Sequence, residues 1–173
     1  MDPRYPIGRF QPQPFDEELK ERWLYDIKYL PTDLEMVVQT LDAYQLDTVY
    51  REGGWSVKQV VHHVADSHMN AYIRFKLGLT EDNPVIKPYE ESAWALLDDV
   101  DAVPINISLT LLHALHQRWY ATIKDLAPAQ WNRTVFHPEQ KRTITLWDLL
   151  GTYAWHGKHH IAHITELVER NKW

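Results

Sequence analysis

The sequence predicts an all-α fold, a four-helix bundle. Three observations lead there. Four long stretches repeat apolar residues at a spacing near 3.6. Proline and glycine clusters separate them. A loop-rich segment, residues 81–103, divides them two and two. The length of 173 residues suits one domain with a full core. That domain is placed at residues 15–173, behind an extended arm over residues 1–14 that carries Pro3, Pro6, Pro12 and Pro14. The arm is expected either to lie on its own domain or to reach a neighbouring subunit.

The first helix is expected from about Asp16 to Ala43, with Asp16 as N-cap and Glu17 and Glu18 at the positive end of the dipole. Pro31 falls inside it and should kink or divide it. The second begins after Gly53-Gly54, where Ser56 and Gln59 have the spacing of a capping box. Val57, Val60, Val61, Val64, Ala71, Phe75 and Leu79 then form one apolar stripe. A short helix is possible around Glu90–Leu97. The third long helix is expected over Ile105–Leu126, on a stripe of Leu109, Leu112, Leu115, Trp119 and Ile123, and Pro128 stops it. Residues 133–145 read as a small hairpin or an irregular loop. The fourth helix starts near Thr145, again with a capping-box pattern, and runs to about Arg170.

Composition excludes several classes. No window approaches eighteen consecutive apolar residues, so no membrane span is expected. The first thirteen residues are polar and lack the apolar core of a signal peptide, which predicts a cytoplasmic protein. The net charge is −6 and the basic residues are scattered, which argues against nucleic-acid binding. There is no cysteine, so a metal ion would have to be held by histidine, carboxylate and water.

Histidine carries the functional signal. His156, His159, His160 and His163 put four of the ten histidines within eight residues. His156/His160 and His159/His163 are both i,i+4 pairs, each able to turn two imidazoles toward one ion. A third imidazole from another helix would leave an open coordination position, as catalytic sites do. His62-His63 and His68 lie on the second long helix. Helical wheels place His63 on a flank comparable to that of His156, His159 and His163. They place His68 within the apolar stripe and His160 nearer the centre of its own. The wheels therefore leave open whether His63 or His68 partners His156/His160 or His159/His163. A lone histidine is most often an ordinary core or surface group, but this density is not ordinary. His113, His116 and His137 read as rim, surface or loop residues. A zinc peptidase is excluded, because neither i,i+4 pair has glutamate after its first histidine. Asp66, one turn after His63, is a candidate carboxylate for orienting a ligand or acting as a base, with a helix-surface salt bridge as the plain alternative. Glu166 stands in the same relation to His163.

Several motifs together carry a resemblance. They are Tyr5-Pro6-Ile7-Gly8, the segment Tyr50–Val57, the run Val60–Asn70, and the histidine cluster continuing through His163-Ile164-Thr165-Glu166-Leu167. In these the chain resembles the DinB-like superfamily of helical-bundle metalloproteins, and within it the YfiT group of provisionally assigned metal-dependent hydrolases from bacilli. The resemblance implies an up-up-down-down bundle, a homodimer, and one divalent ion, zinc or nickel, on His63, His159 and His163. It implies a hydrolase in which the open position activates water. Relatives in the superfamily are thiol-dependent transferases, so activation of a low-molecular-weight thiol such as bacillithiol is the alternative. A non-catalytic, stress-linked metal-binding module is the third reading, which a fourth protein ligand such as Asp66 would favour. The substrate is expected to be a small molecule, in a pocket walled by Tyr153, Trp155 and residues 81–103.

Overall fold

The structure, a computed structural model, describes residues 2–173. Four long helices form the bundle: α1 (Glu17–Val38), α3 (Val57–Thr80), α6 (Ile105–Ile123) and α7 (Leu146–Asn171). Short helices occupy the connections: α2 (Ala43–Asp47), α4 (Glu91–Trp94) and α5 (Asp99–Ala102). A 3-10 turn at Pro128–Asn132 leads into a hairpin of β1 (Thr134–His137) and β2 (Arg142–Thr145), paired antiparallel from Thr134↔Thr145 to His137↔Arg142. The starts are capped as the sequence predicts. Asp16 accepts from the Leu19 N–H, Ser56 and Gln59 close a reciprocal box, and Thr145 accepts from the Asp148 N–H. No described helix is long and apolar enough to cross a membrane.

Contacts fix the direction of each helix. Around the bundle the order is α1, α7, α3, α6. Along α3 and α6, His62 meets Ser108, His68 meets His116 and Phe75 meets Trp119, so the two run parallel. Along α3 and α7, His63 meets His156 and Arg74 meets Tyr153, so these are antiparallel. Helix α1 runs parallel to α7, through Trp23–Trp147 and Asp26–Lys158, and antiparallel to α6, through Ile27–His116 and Glu35–His113. The four-helix bundle stands, but its course is up-down-down-up, not the expected up-up-down-down. The parallel pair is α3–α6. Its connection must therefore return along the whole bundle, and it does. Val85 bridges Phe136 at one end, and Asp101 pairs with Lys58 at the other.

The apolar core is in two parts. One gathers around Phe75, Trp119, Trp131 and Leu150, the other around Leu34, Val57, Val61, Leu112 and Ile164. Between them lies a layer of buried histidines. Pro31 sits inside α1 without ending it, and its ring is buried. The N-terminal arm lies on its own bundle, where Trp147 Nε1 donates to the Gln13 carbonyl and Trp155 Nε1 to that of Gly8.

Helices α1 and α7 approach closely at glycine. A Cβ added at Gly151 would lie 2.5 Å from Cη2 of Trp23 and 2.8 Å from Cζ of Phe10. Overpacking costs about 1–3 kcal/mol, against a helix-propensity gain of up to about 1 kcal/mol. Gly151→Ala is expected to lower the urea unfolding midpoint. An unchanged or raised midpoint would show that the two helices separate freely there.

Candidate metal centre

Helix α3 turns His63 and His68 inward, and α7 does the same with the four histidines of residues 156–163. Two groups of three come close enough to share an ion: His63 with His156 and His160, and His159 with His160 and His163. In each group the candidate ligand atoms lie within 4.8 Å of one another. Asp66 and Glu166 belong to neither group.

The expected set of His63, His159 and His163 is not brought to one point. His63 lies against His156, Nε2 to Nε2 at 3.2 Å, and its ring centroid is 4.9 Å from that of His160. His159 and His163 turn to a different side of α7. His159 stacks on Trp155 at 4.5 Å and His163 on Tyr50 at 4.0 Å. Which i,i+4 pair faces α3 depends on how α7 is rotated in the bundle. The closeness of Gly151 and Gly157 to α1 fixes that rotation.

The donors suit a divalent ion. Two nitrogens bound at 2.0–2.1 Å to a tetrahedral centre stand about 3.3 Å apart, close to the 3.2 Å between His63 and His156. The layer also holds buried ring nitrogens without a hydrogen-bond partner, Nδ1 of His159 and Nδ1 of His160. Unpartnered buried nitrogens are rare unless something else satisfies them.

Electrostatics keep these rings neutral. Burial pushes His63 down to about 4. Burial, then His163 and His63, push His159 down to about 4. Burial holds His156 and His160 well below the ordinary imidazole range. Neutral imidazoles present lone pairs to a metal at neutral pH.

A cavity of about 460 Å³ opens beside the first group, and His63, His156, His159 and His160 line it. Tyr153 and Trp155 are in its wall, as are Pro88, Tyr89 and Glu91 of the long connection, all within the expected set. The hairpin adds His137, Gln140 and Arg142, which composition and spacing did not single out. Arg74 is also new. Its guanidinium donates to Tyr153 Oη at 2.6 Å and to the Lys87 carbonyl at 3.3 Å, while Nε has no partner.

Several other expectations change. His116 is 1 % exposed and His137 9 %, so neither is a surface group. His113 is exposed and pairs with Glu35, as expected of a rim residue. His62 is buried and bonds Ser108. Asp66 neither lines the cavity nor bonds a histidine. Burial, then Asp99 of the long connection, raise its carboxyl to about 6. Glu166 is exposed.

The profile of the DinB superfamily matches residues 27–164. A protein of Oceanobacillus iheyensis, provisionally named a metal-dependent hydrolase, is 52% identical over 100% of both chains. YfiT of Bacillus subtilis, with the same provisional name, is 49% identical over 98% of this chain and 96% of its own. The solved structure of that YfiT, described provisionally as a metal-dependent hydrolase with an unusual four-helix bundle topology, superposes with a TM-score of 0.97. The two share 48% identity over 100% of this chain and 99% of that one.

The neutral histidines make stability pH-dependent. Their folded-state values lie below the ordinary 6.5, so the unfolded chain takes up protons first as pH falls. Stability of the metal-free protein is therefore complete above about pH 7 and lost progressively from 6.5 toward 4. Urea titrations across this range are expected to show the midpoint falling on the acid side only. A flat profile would mean that the rings titrate alike in both states.

Proposed function

The chain belongs to the DinB superfamily, and from that premise we propose a metal-dependent hydrolase that holds one divalent ion, zinc or nickel, on His63, His156 and His160. One observation carries this choice. These three imidazoles converge from two helices and all three line the cavity, so a fourth position would face a substrate. The other group lies wholly on α7, and His163 does not reach the cavity wall. An ion held there supplies Lewis-acid activation of a water molecule or of a substrate group.

The remaining work falls to the chain's own residues. Trp55 packs on His63 at 4.5 Å and stacks over His160 at 6.4 Å, which shields two of the three rings. Arg74 is a fixed cation in the wall, suited to an anionic part of a small-molecule substrate. The absence of Asp66 from both groups and from the cavity lining favours catalysis over a closed, non-catalytic site.

A second reading keeps the same ligands and gives the open position to a low-molecular-weight thiol. One feature favours it. Among the described residues, no carboxylate hydrogen-bonds any of His63, His156 or His160. The carboxylates that line the cavity, Glu91 and Glu139, bond none of these rings, and a thiol brings its own nucleophile and needs no carboxylate base beside it.

Elemental analysis of untagged protein tests the site. The expected result is about one equivalent of zinc or nickel in wild type, lost in His63→Ala, His156→Ala and His160→Ala and kept in His163→Ala. Loss in His163→Ala with retention in His156→Ala would return the site to His63, His159 and His163. Cobalt substitution separates the two chemistries. If the thiol reading holds, adding bacillithiol or a simpler thiol shifts the visible bands, and an unchanged spectrum leaves hydrolysis.

A further inference from the structure

Behind the proposed ligands the imidazoles continue in a chain through the core. His156 Nδ1 lies 3.0 Å from His68 Nε2, and His68 Nδ1 lies 3.0 Å from His116 Nε2. His116 Nδ1 meets the main-chain carbonyl of Ile27. His68 is 0 % exposed and His116 1 %, so no water competes along this path.

The far end of the chain fixes its direction. A carbonyl oxygen only accepts, and a neutral imidazole has one N–H and one lone pair. His116 must donate to Ile27 from Nδ1, which leaves Nε2 as an acceptor. His68 then donates to it from Nδ1 and accepts at Nε2. His156 in turn donates from Nδ1. Its lone pair is thereby placed on Nε2, the nitrogen that stands 3.2 Å from His63 Nε2. The opposite order would aim a lone pair at the Ile27 oxygen, leave that buried carbonyl without a donor, and put a proton on the His156 nitrogen that faces His63. The Ile27 carbonyl is available because residue 31, which would supply its helical N–H four positions on, is proline.

We propose that His68 and His116 are positioning residues for the metal site, setting the tautomer and ring orientation of the ligand His156 from the carbonyl that Pro31 leaves free. This rests on the metal reading above. Metal-binding histidines ordinarily donate their second N–H to a carboxylate, a carbonyl or water. Here two imidazoles stand between the ligand and the carbonyl. Edge-on contacts hold their rings, His68 against Trp119 at 5.8 Å and Tyr153 at 5.5 Å, and His116 against Trp119 at 5.4 Å.

Two measurements test this. Ring-nitrogen ¹⁵N spectra of the metal-free wild type near pH 8 report each tautomer directly. The expected state is N–H on Nδ1 in His116, His68 and His156, and N–H on Nε2 of His156 overturns the proposal. Zinc affinity by chelator competition is then compared in wild type, His116→Phe and His116→Gln. The glutamine amide can both donate to Ile27 and accept from His68. Zinc binding is expected to weaken about ten- to hundred-fold in His116→Phe and to recover largely in His116→Gln. A folded His116→Phe protein with unchanged zinc affinity overturns the positioning role. If that variant does not fold, the wild-type spectra still decide. Zinc bound by no form would sink the metal reading and this role with it, while the spectra judge the tautomer order separately.

Discussion

A layer of neutral imidazoles divides the hydrophobic core, and every ring nitrogen in it needs a partner that the surrounding leucines and valines cannot supply. An unpaired polar group in such surroundings costs about 1–3 kcal/mol. The fold meets this demand in two ways. Deep in the bundle, His156, His68 and His116 satisfy one another and end on the carbonyl of Ile27. Nearer the cavity, Nδ1 of His159 and Nδ1 of His160 are left without partners. One side of the layer is closed and the other is open to a ligand. The closed side depends on a local defect in α1. A proline in a helix interior ordinarily weakens it by about 3 kcal/mol. Here the carbonyl freed by Pro31 becomes the acceptor that anchors the histidine chain.

The helices were legible in the sequence because their signals are local. Asp16, Ser56 with Gln59, and Thr145 cap where their spacing places them. Gly53-Gly54 separates α2 from α3 as expected, while the third long helix ends at Ile123, short of Leu126 and Pro128. Residues 133–145 form a hairpin, one of the two forms they allowed. The course was not legible. Up-up-down-down and up-down-down-up bundles use the same helices, and only long-range pairings, α3 parallel to α6 and α1 parallel to α7, distinguish them. His116 was misplaced for a physical reason. A wheel reads hydrophobicity, and a buried histidine that bonds its neighbours has the same polarity as one facing water. Leu112, His116, Trp119 and Ile123 follow helical spacing as well as any apolar stripe, and all four are buried.

The proposed metal ligands show where local reading stops. His156/His160 and His159/His163 have the same spacing on the same helix. The choice between them is a rotation of α7 by less than a turn. Long-range packing sets that rotation, through Gly151 against Trp23 and Phe10 and Gly157 against Leu30. Neither glycine has a functional group, yet each removes a side chain that would push α7 away from α1. The near-identity of this fold to that of YfiT, with a TM-score of 0.97, carries the same scaffold across the two chains.

The cavity is built differently from the layer beneath it. Rigid elements, α3 and α7, present the histidines. The wall opposite comes from the long connection and the hairpin, through Pro88, Tyr89, Gln140 and Arg142. Arg74 ties the two parts together, since it belongs to α3 but is held by Tyr153 of α7 and by the main chain at Lys87. A main-chain acceptor is indifferent to the side chain it carries. The connection can therefore change sequence around residue 87 without releasing the arginine. The histidines depend on core packing and tolerate little change, while the wall depends on loops that tolerate much. A site divided in this way can keep one set of histidines and vary the shape of the cavity beside them.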